Sequence, residues 1–156
     1  MHRTALPLCL FLFLSMLTAR HVAAHCEVPC GIYDDQARFQ QMLEDTKTIA
    51  KASDQIHLLA TESSPQNMNQ LVRWVTTKEQ HATDIQQTIS QYFMTQRIKA
   101  DKPEYVNKLT TAHAVMVAAM KCKQKVSPDA AEALEKSIYK FYTAYTGKKP
   151  EIHKHN

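Results

Sequence analysis

Glycine is almost absent from this sequence, because Gly31 and Gly147 are the two glycines among 156 residues. The dinucleotide-binding fingerprint needs three closely spaced glycines, and a P-loop needs two in one short segment followed by lysine. Neither motif can be formed here. Nucleotide binding through a glycine-rich loop is therefore excluded.

Long apolar runs and clustered basic residues are also lacking. Beyond the N-terminal segment, no run approaches the ~18–20 apolar residues of a membrane span. The composition, 44% hydrophobic and 22% charged, is typical of a globular chain. The net charge of +4 comes with neither a basic stripe nor basic residues interleaved with aromatics. We therefore expect one globular domain whose mature form has neither a membrane nor a nucleic-acid partner.

Residues 1–24 have the pattern of a signal peptide. Arg3 gives a positive start, residues 8–17 are nearly all apolar, and Val22, Ala23 and Ala24 offer small residues for signal peptidase. Cleavage after Ala24 would make His25 the first mature residue. This predicts the secretory route, with a secreted or periplasmic protein or one in an organelle reached by that route.

After residue 33 the sequence predicts four helices separated by prolines. Apolar residues recur at spacings of three and four, the period of one helical face. Asp34, Ser64 and Ser127 are placed as N-caps, and Gly147 as the residue that ends the last helix. The predicted helices span residues 35–60, 65–96, about 101–125 and 128–146. Short connections favour antiparallel neighbours, so we expect an all-α antiparallel four-helix bundle over residues 34–148 and a tail over 149–156.

Each helix has a set of residues predicted to face the core. In the first these are Phe39, Met42, Leu43, Thr46, Ile49, Ala50, Ser53 and Ile56, and in the second Met68, Leu71, Val72, Val75, Ala82, Ile85, Ile89 and Tyr92. In the third they are Val106, Leu109, Ala112, Val115, Met116, Ala119 and Met120, and in the fourth Leu134, Ile138, Phe141 and Tyr145. The methionines are interpreted as core filler rather than as copper ligands. Cys122 is expected to be a buried thiol without a partner.

The helices leave residues 25–33 unexplained, with the sequence His-Cys-Glu-Val-Pro-Cys-Gly-Ile-Tyr. Pro29 and Gly31 disfavour a regular helix, so a compact hook is predicted in which the thiols of Cys26 and Cys30 converge. Signal cleavage would add the free α-amine of His25. The amine, the backbone nitrogen of Cys26 and the two thiolates could share one plane, a geometry that favours Ni(II) or Cu(II) over zinc.

At these residues the chain resembles the nickel superoxide dismutase family, whose mature N-terminal signature is His-Cys-x-x-Pro-Cys-Gly-x-Tyr. The resemblance extends to residues 71–80 and to the pair Tyr92 and Phe93. It implies a homohexamer of four-helix bundles with one nickel ion per subunit. The implied activity converts superoxide to hydrogen peroxide and dioxygen through Ni(II)/Ni(III) cycling, with one superoxide oxidised and the next reduced.

The resemblance also implies roles for individual residues. His25 would supply its amine and an axial imidazole, Cys26 its amide nitrogen and thiolate, and Cys30 the second thiolate. Tyr33 and Tyr92 would line the approach to the metal, where their hydroxyls order water and admit a small anion.

The surroundings of the site depart from the family pattern. Gln40 and His81 stand where some members have a glutamate and an arginine that hold the axial imidazole, and Glu27 is a further candidate near the metal. Met94 replaces a basic residue, so Arg97 or Lys99 is predicted to attract superoxide.

Two alternatives stay open from the sequence. A secreted bundle without enzymatic activity could pin its N-terminus with a Cys26–Cys30 disulfide. A nickel or copper carrier could use the same hook without turnover.

Overall fold

The computed structural model describes residues 27–150, and all regular structure in this part of the chain is helical. The helices are α1 (Asp35–Leu59), α2 (Pro65–Gln87), α3 (Tyr105–Gln124) and α4 (Pro128–Thr146). A π-helical segment, Thr88–Arg97, continues α2 without a break. The predicted all-α fold and four-helix bundle are confirmed. The predicted signal peptide, His25, Cys26 and residues 151–156 lie outside the described residues.

The helices pack in chain order around one core. α1 packs against α2 and α4, and α3 packs against the same two helices. This arrangement is that of a bundle with short connections between neighbouring helices. The fully buried side chains of α1, α2 and α4 and of the π-helical segment include large residues: Phe39, Met42, Ile85, Phe93 and Phe141. The largest fully buried side chains of α3 are the smaller Val115 and Cys122. Within residues 27–150, no helix is both long enough and apolar enough to cross a bilayer.

The helix ends follow the capping signals with one exception. Asp34 Oδ1 accepts from the Ala37 amide at 2.9 Å, and Ser64 Oγ accepts from the Asn67 amide at 3.1 Å. Gly147 ends α4 with φ of 71°, in the left-handed region that glycine adopts without strain. The hydroxyl of Ser127 was predicted to cap α4 but makes no capping bond. The Ala130 amide donates instead to the Ser127 carbonyl at 3.1 Å.

The first half of α2 was predicted to face the core, but it has no buried residue. Met68 and Val72 are 60% and 65% exposed, and Val75 is exposed as well. The buried residues of α2 begin only at Lys78, where the helix meets the last turn of α3. Val106 and Met120 on α3 are likewise exposed, so their predicted place in the core was wrong. The interpretation of Met68 and Met120 as core filler was therefore also wrong, whereas Met42 is fully buried.

Lys78 is a buried ammonium that the hydrophobic pattern did not predict. Its Nζ donates to the carbonyls of Cys122 and Lys123 at 2.6 and 2.7 Å and lies 3.3 Å from Glu79 Oε1. These carbonyls belong to the last turn of α3, where a helix lacks internal donors and favours positive charge. Lys78 therefore joins α2 to the end of α3.

Cys122 is buried as predicted, and burial raises the pKa of its thiol to about 11.

The π-helical segment changes which residues of the second helix share a face. The Ile98 amide donates to the Phe93 carbonyl at 2.8 Å, a bond across five residues. In an α-helix, five residues turn through ~500°, which would leave the side chains of Tyr92 and Arg97 about 140° apart. The i→i+5 hydrogen bonds of a π-helix give wider turns, which bring these two side chains closer to one side of the helix. The sequence predicted the extent of this helix, to about residue 96, but not its π-helical end.

Candidate metal centre

The hook leads into α1 without helical structure. Residues 27–31 form bends, the Val28–Pro29 peptide bond is cis, and Gly31 has φ of 80°. A positive φ of this size favours glycine, which explains why Gly31 follows Cys30. The local geometry agrees with the non-helical hook predicted from Pro29 and Gly31.

A cleft of about 260 Å³ lies between the hook, α1 and α2. The hook contributes Val28 and Pro29, and α1 contributes Arg38. The second helix contributes Asp84, Gln87, Thr88, Gln91 and Tyr92. The hook therefore lies against the groove between the first two helices, close to the start of the π-helical segment.

The donor chemistry of the hook fits a transition metal. Cys30 is exposed, and it forms no disulfide with another cysteine of residues 27–150. Within residues 27–150, no three His, Cys, Asp or Glu side chains are grouped so that they could hold a metal ion. Two of the three predicted ligands, His25 and Cys26, precede residue 27, so the described part contains only the third. A thiolate is a soft donor that suits nickel or copper better than magnesium or calcium.

The structure brings Tyr33 and Tyr92 together. Their ring centroids are 5.8 Å apart and the rings are nearly perpendicular, at 81°. Tyr92 is 3% exposed and its hydroxyl donates to Asp35 Oδ1 at 2.7 Å. Burial and the neighbouring Asp35 carboxylate raise the pKa of Tyr92, so its phenol stays protonated. Tyr33 is 38% exposed, and its hydroxyl has no hydrogen bond to any residue between 27 and 150.

Asp35, the first residue of α1, is the centre of a hydrogen-bond network beside these rings. Arg97 donates to both carboxylate oxygens, from Nε and Nη2, each at 2.8 Å. Tyr92 and Tyr145 add hydroxyl bonds of 2.7 and 2.8 Å. Burial disfavours the charged form of Asp35, but the bonds from Arg97, Tyr92 and Tyr145 outweigh it and lower the pKa of the carboxyl. Burial and Asp35 raise the pKa of Tyr145 to about 12.

The basic residues near the hook differ from those expected. Arg97 was predicted to attract superoxide, but its charge is paired with Asp35, and its guanidinium lies 4.3 Å from the Tyr33 ring centroid. Lys99 is exposed and does not line the cleft. Arg38 does line it, with its guanidinium 5.3 Å from the Tyr92 ring centroid. Among residues 27–150 it forms no ion pair, although Asp84 also borders the cleft.

Gln40 and Asp45, the residue that His81 contacts, lie on different sides of α1. His81 Nδ1 is 2.8 Å from Asp45 Oδ1, which also accepts from Gln41 Nε2 at 3.1 Å. Asp45 is 3% exposed, and its Oδ2 has no partner within the described part of the chain. Gln40 borders a separate cleft of about 340 Å³ between α1 and α4. The structure therefore does not bring Gln40 to the hook, and Gln41 is the glutamine on the side of His81. Glu27 is half-buried at the start of the described residues.

Sequence reasoning missed Asp35, Arg38, Asp45 and Tyr145. Asp45 could have been recognised from the sequence, because it lies three residues from Met42 and four from Ile49 on the buried face of α1. Asp35 could not, because its partners lie up to 110 residues away in the chain. Tyr145 was interpreted as a packing residue.

Comparison with known families agrees with the site. No match was found among curated proteins or among solved structures. The profile of one family, described as nickel-containing superoxide dismutase, matches residues 20–149 and so covers the hook and all four helices. A match over most of the chain shows that this protein belongs to the nickel-containing superoxide dismutase family.

Proposed function

We propose that the mature chain binds one nickel ion per subunit through His25, Cys26 and Cys30 and disproportionates superoxide. The observation that carries the proposal is the exposed Cys30 in a non-helical hook beside a cleft, within a chain of this family. The bound nickel would supply one-electron chemistry by alternating between Ni(II) and Ni(III). The products are hydrogen peroxide and dioxygen.

The residues around the cleft would select and guide the substrate. The positive charge of Arg38 favours a small anion at the cleft, since exposed charges raise the local concentration of an oppositely charged substrate. The hydroxyl of Tyr33, which has no hydrogen bond to residues 27–150, would order water or the anion. The hydroxyl of Tyr92 is committed to Asp35, so Tyr92 acts as a buried wall of the cleft.

The activity is tested by measuring nickel content and superoxide consumption of the chain that begins at His25. About one nickel ion per chain together with rapid consumption supports the proposal. Nickel without turnover would favour the carrier hypothesis. A chain without nickel that contains a Cys26–Cys30 disulfide would favour the bundle without enzymatic activity.

Replacing Arg38 by glutamine is expected to lower kcat/KM for superoxide about threefold at low ionic strength. The difference should shrink at high salt, because screening removes the attraction between exposed charges. The matched control is Arg73→Gln, which removes the same charge from an exposed position on α2. Equal effects of the two substitutions, or an Arg38 effect independent of salt, would contradict guidance by Arg38.

We also propose that the chain assembles into a homohexamer, as the family resemblance implies. Met68 and Val72 form an exposed apolar face on α2, next to Val75. Burying such a face in an interface is favourable, and contiguous exposed apolar surface commonly marks a contact between proteins. Sedimentation of the nickel-loaded chain measures the mass directly, and a monomer at micromolar concentration would exclude this assembly.

Maturation by signal peptidase and passage through the secretory route complete the proposal. Both are motivated by the charge and apolar pattern of residues 1–24. The N-terminal sequence of the protein recovered from its native source would start at His25. A terminus at Met1 would overturn this part of the proposal.

A further inference from the structure

Asp35 connects parts of the chain that are distant in sequence to the end of the hook. It lies two residues after Tyr33 and binds Arg97 and Tyr92 from the π-helical segment and Tyr145 from the end of α4. The four hydrogen bonds that its carboxylate accepts from residues 27–150 are 2.7 or 2.8 Å long. Bonds of this length to an ionised carboxylate are among the stronger ones in proteins.

Tyr33 depends on these same partners for its position. The centroid of the Tyr33 ring lies 4.3 Å from the Arg97 guanidinium and 5.8 Å from the centroid of the Tyr92 ring. Asp35 holds both of those groups through hydrogen bonds. The Tyr33 hydroxyl adds no bond of its own to the described residues. Within the described part of the chain, Tyr33 is therefore held by packing against two side chains rather than by its own hydrogen bonds.

Fixing Tyr33 also restrains Cys30. Tyr33 is three positions after Cys30 in the chain, and three residues of chain reach at most ~10 Å. The π-helical segment is essential to this arrangement, because its wider turns bring Tyr92 and Arg97 closer to one side of the helix. A regular α-helix would place the two side chains about 140° apart around its axis.

We propose that Asp35 is a positioning residue for the hook. By holding Tyr92 and Arg97 against Tyr33, it fixes the end of the hook that carries Cys30. The positioning role can be measured without nickel, and only its effect on nickel affinity rests on the proposed function.

The direct test uses Asp35→Asn in the metal-free chain that begins at His25. The substitution keeps the shape of the side chain but removes the charge that pairs with Arg97. We expect the backbone ¹⁵N order parameters of residues 30–33 to fall from about 0.8 to below about 0.6, the range of flexible backbone. Order parameters in the middle of α1 and α2 should not change. Wild-type values already below about 0.6, or unchanged values in the variant, would overturn the proposal.

A milder pair of variants covers the case in which Asp35→Asn fails to fold. Tyr145→Phe removes one bond to Asp35 from a residue far from the hook in sequence. Tyr139→Phe is the matched control, because it removes a hydroxyl on the same helix that contacts Glu135 at 3.5 Å instead. Increased motion at residues 30–33 in Tyr145→Phe alone supports the proposal. Equal behaviour of the two variants contradicts it.

Nickel affinity, measured by competition with a chelator, tests the consequence for the site. Asp35→Asn should weaken binding about tenfold, the scale of losses when groups that orient metal ligands are removed. In a Tyr33→Ala background the same substitution should cost no more, because Asp35 acts through Tyr33. An undiminished cost in that background would refute this route. If the wild-type chain binds no nickel, the proposed function fails, while the order parameters still decide whether Asp35 positions the hook.

Discussion

A chain that begins at Ala24 is expected to consume superoxide at least about a hundredfold more slowly than one that begins at His25. In the proposed site the α-amine of His25 binds nickel, and a peptide bond to Ala24 converts that amine, with a pKa of ~8, into a non-basic amide nitrogen. Loss of a direct ligand should exceed the 10–100-fold effects of losing groups that merely orient ligands. Removal of the signal peptide would therefore also be the activation step.

The comparison needs both chains to be loaded with nickel under the same conditions and assayed for superoxide turnover. Their far-UV circular dichroism should be identical, since the four helices begin only at Asp35. Equal turnover would refute a role for the amine. Neither a zinc site made of side chains nor a Cys26–Cys30 disulfide needs a free terminus, so those alternatives predict no difference.

Cys30→Ser is expected to abolish stoichiometric nickel binding and to lower superoxide turnover at least about a hundredfold. The substitution replaces a soft thiolate donor by a hydroxyl that remains protonated at neutral pH and binds nickel weakly. Cys30 is exposed and has no packing role in the bundle, so the melting temperature should barely change. Nickel per chain, turnover and thermal unfolding measured on one preparation test all three expectations.

Cys122→Ser is the matched control for that experiment. Cys122 is buried on α3, and its thiol donates to the Ala130 carbonyl at 3.3 Å, a bond that a serine hydroxyl can also make. We expect wild-type nickel content and turnover, with a loss of about 1 kcal/mol in stability. Full activity in Cys30→Ser would remove the nickel-thiolate site from consideration, and lost activity in Cys122→Ser would point to a different sulfur ligand.

Much of the fold was predictable because its signals are local. Asp34 and Ser64 cap helices through their own side chains, and Gly147 ends α4 through its own backbone conformation. The exposed face of α2 was not predictable in the same way. Periodicity shows that Met68 and Val72 share a face, but only the packing partners decide whether that face is buried.

The residues around the candidate site likewise include some that the local sequence indicates and others that only packing determines. The hook was recognisable from contiguous residues, because Cys30, Gly31 and Tyr33 belong to one short signature. The position of Arg97 relative to Tyr92 could not be predicted, because no glycine or proline marks the π-helical segment. That segment decides that the charge of Arg97 pairs with Asp35 and leaves Arg38 as the basic residue at the cleft.

By itself, the amino-acid sequence determined the helical class, the family and the hook, since each depends on composition, periodicity or neighbouring residues. Tertiary structure alone decided which side chains surround the hook. Tyr145 reaches Asp35 across 110 residues and Arg97 reaches it across 62, and such contacts exist only once the ends of the helices have packed together. The hook around Cys30 thus follows from neighbouring residues in the sequence, whereas the contacts proposed to restrain it form only in the folded bundle.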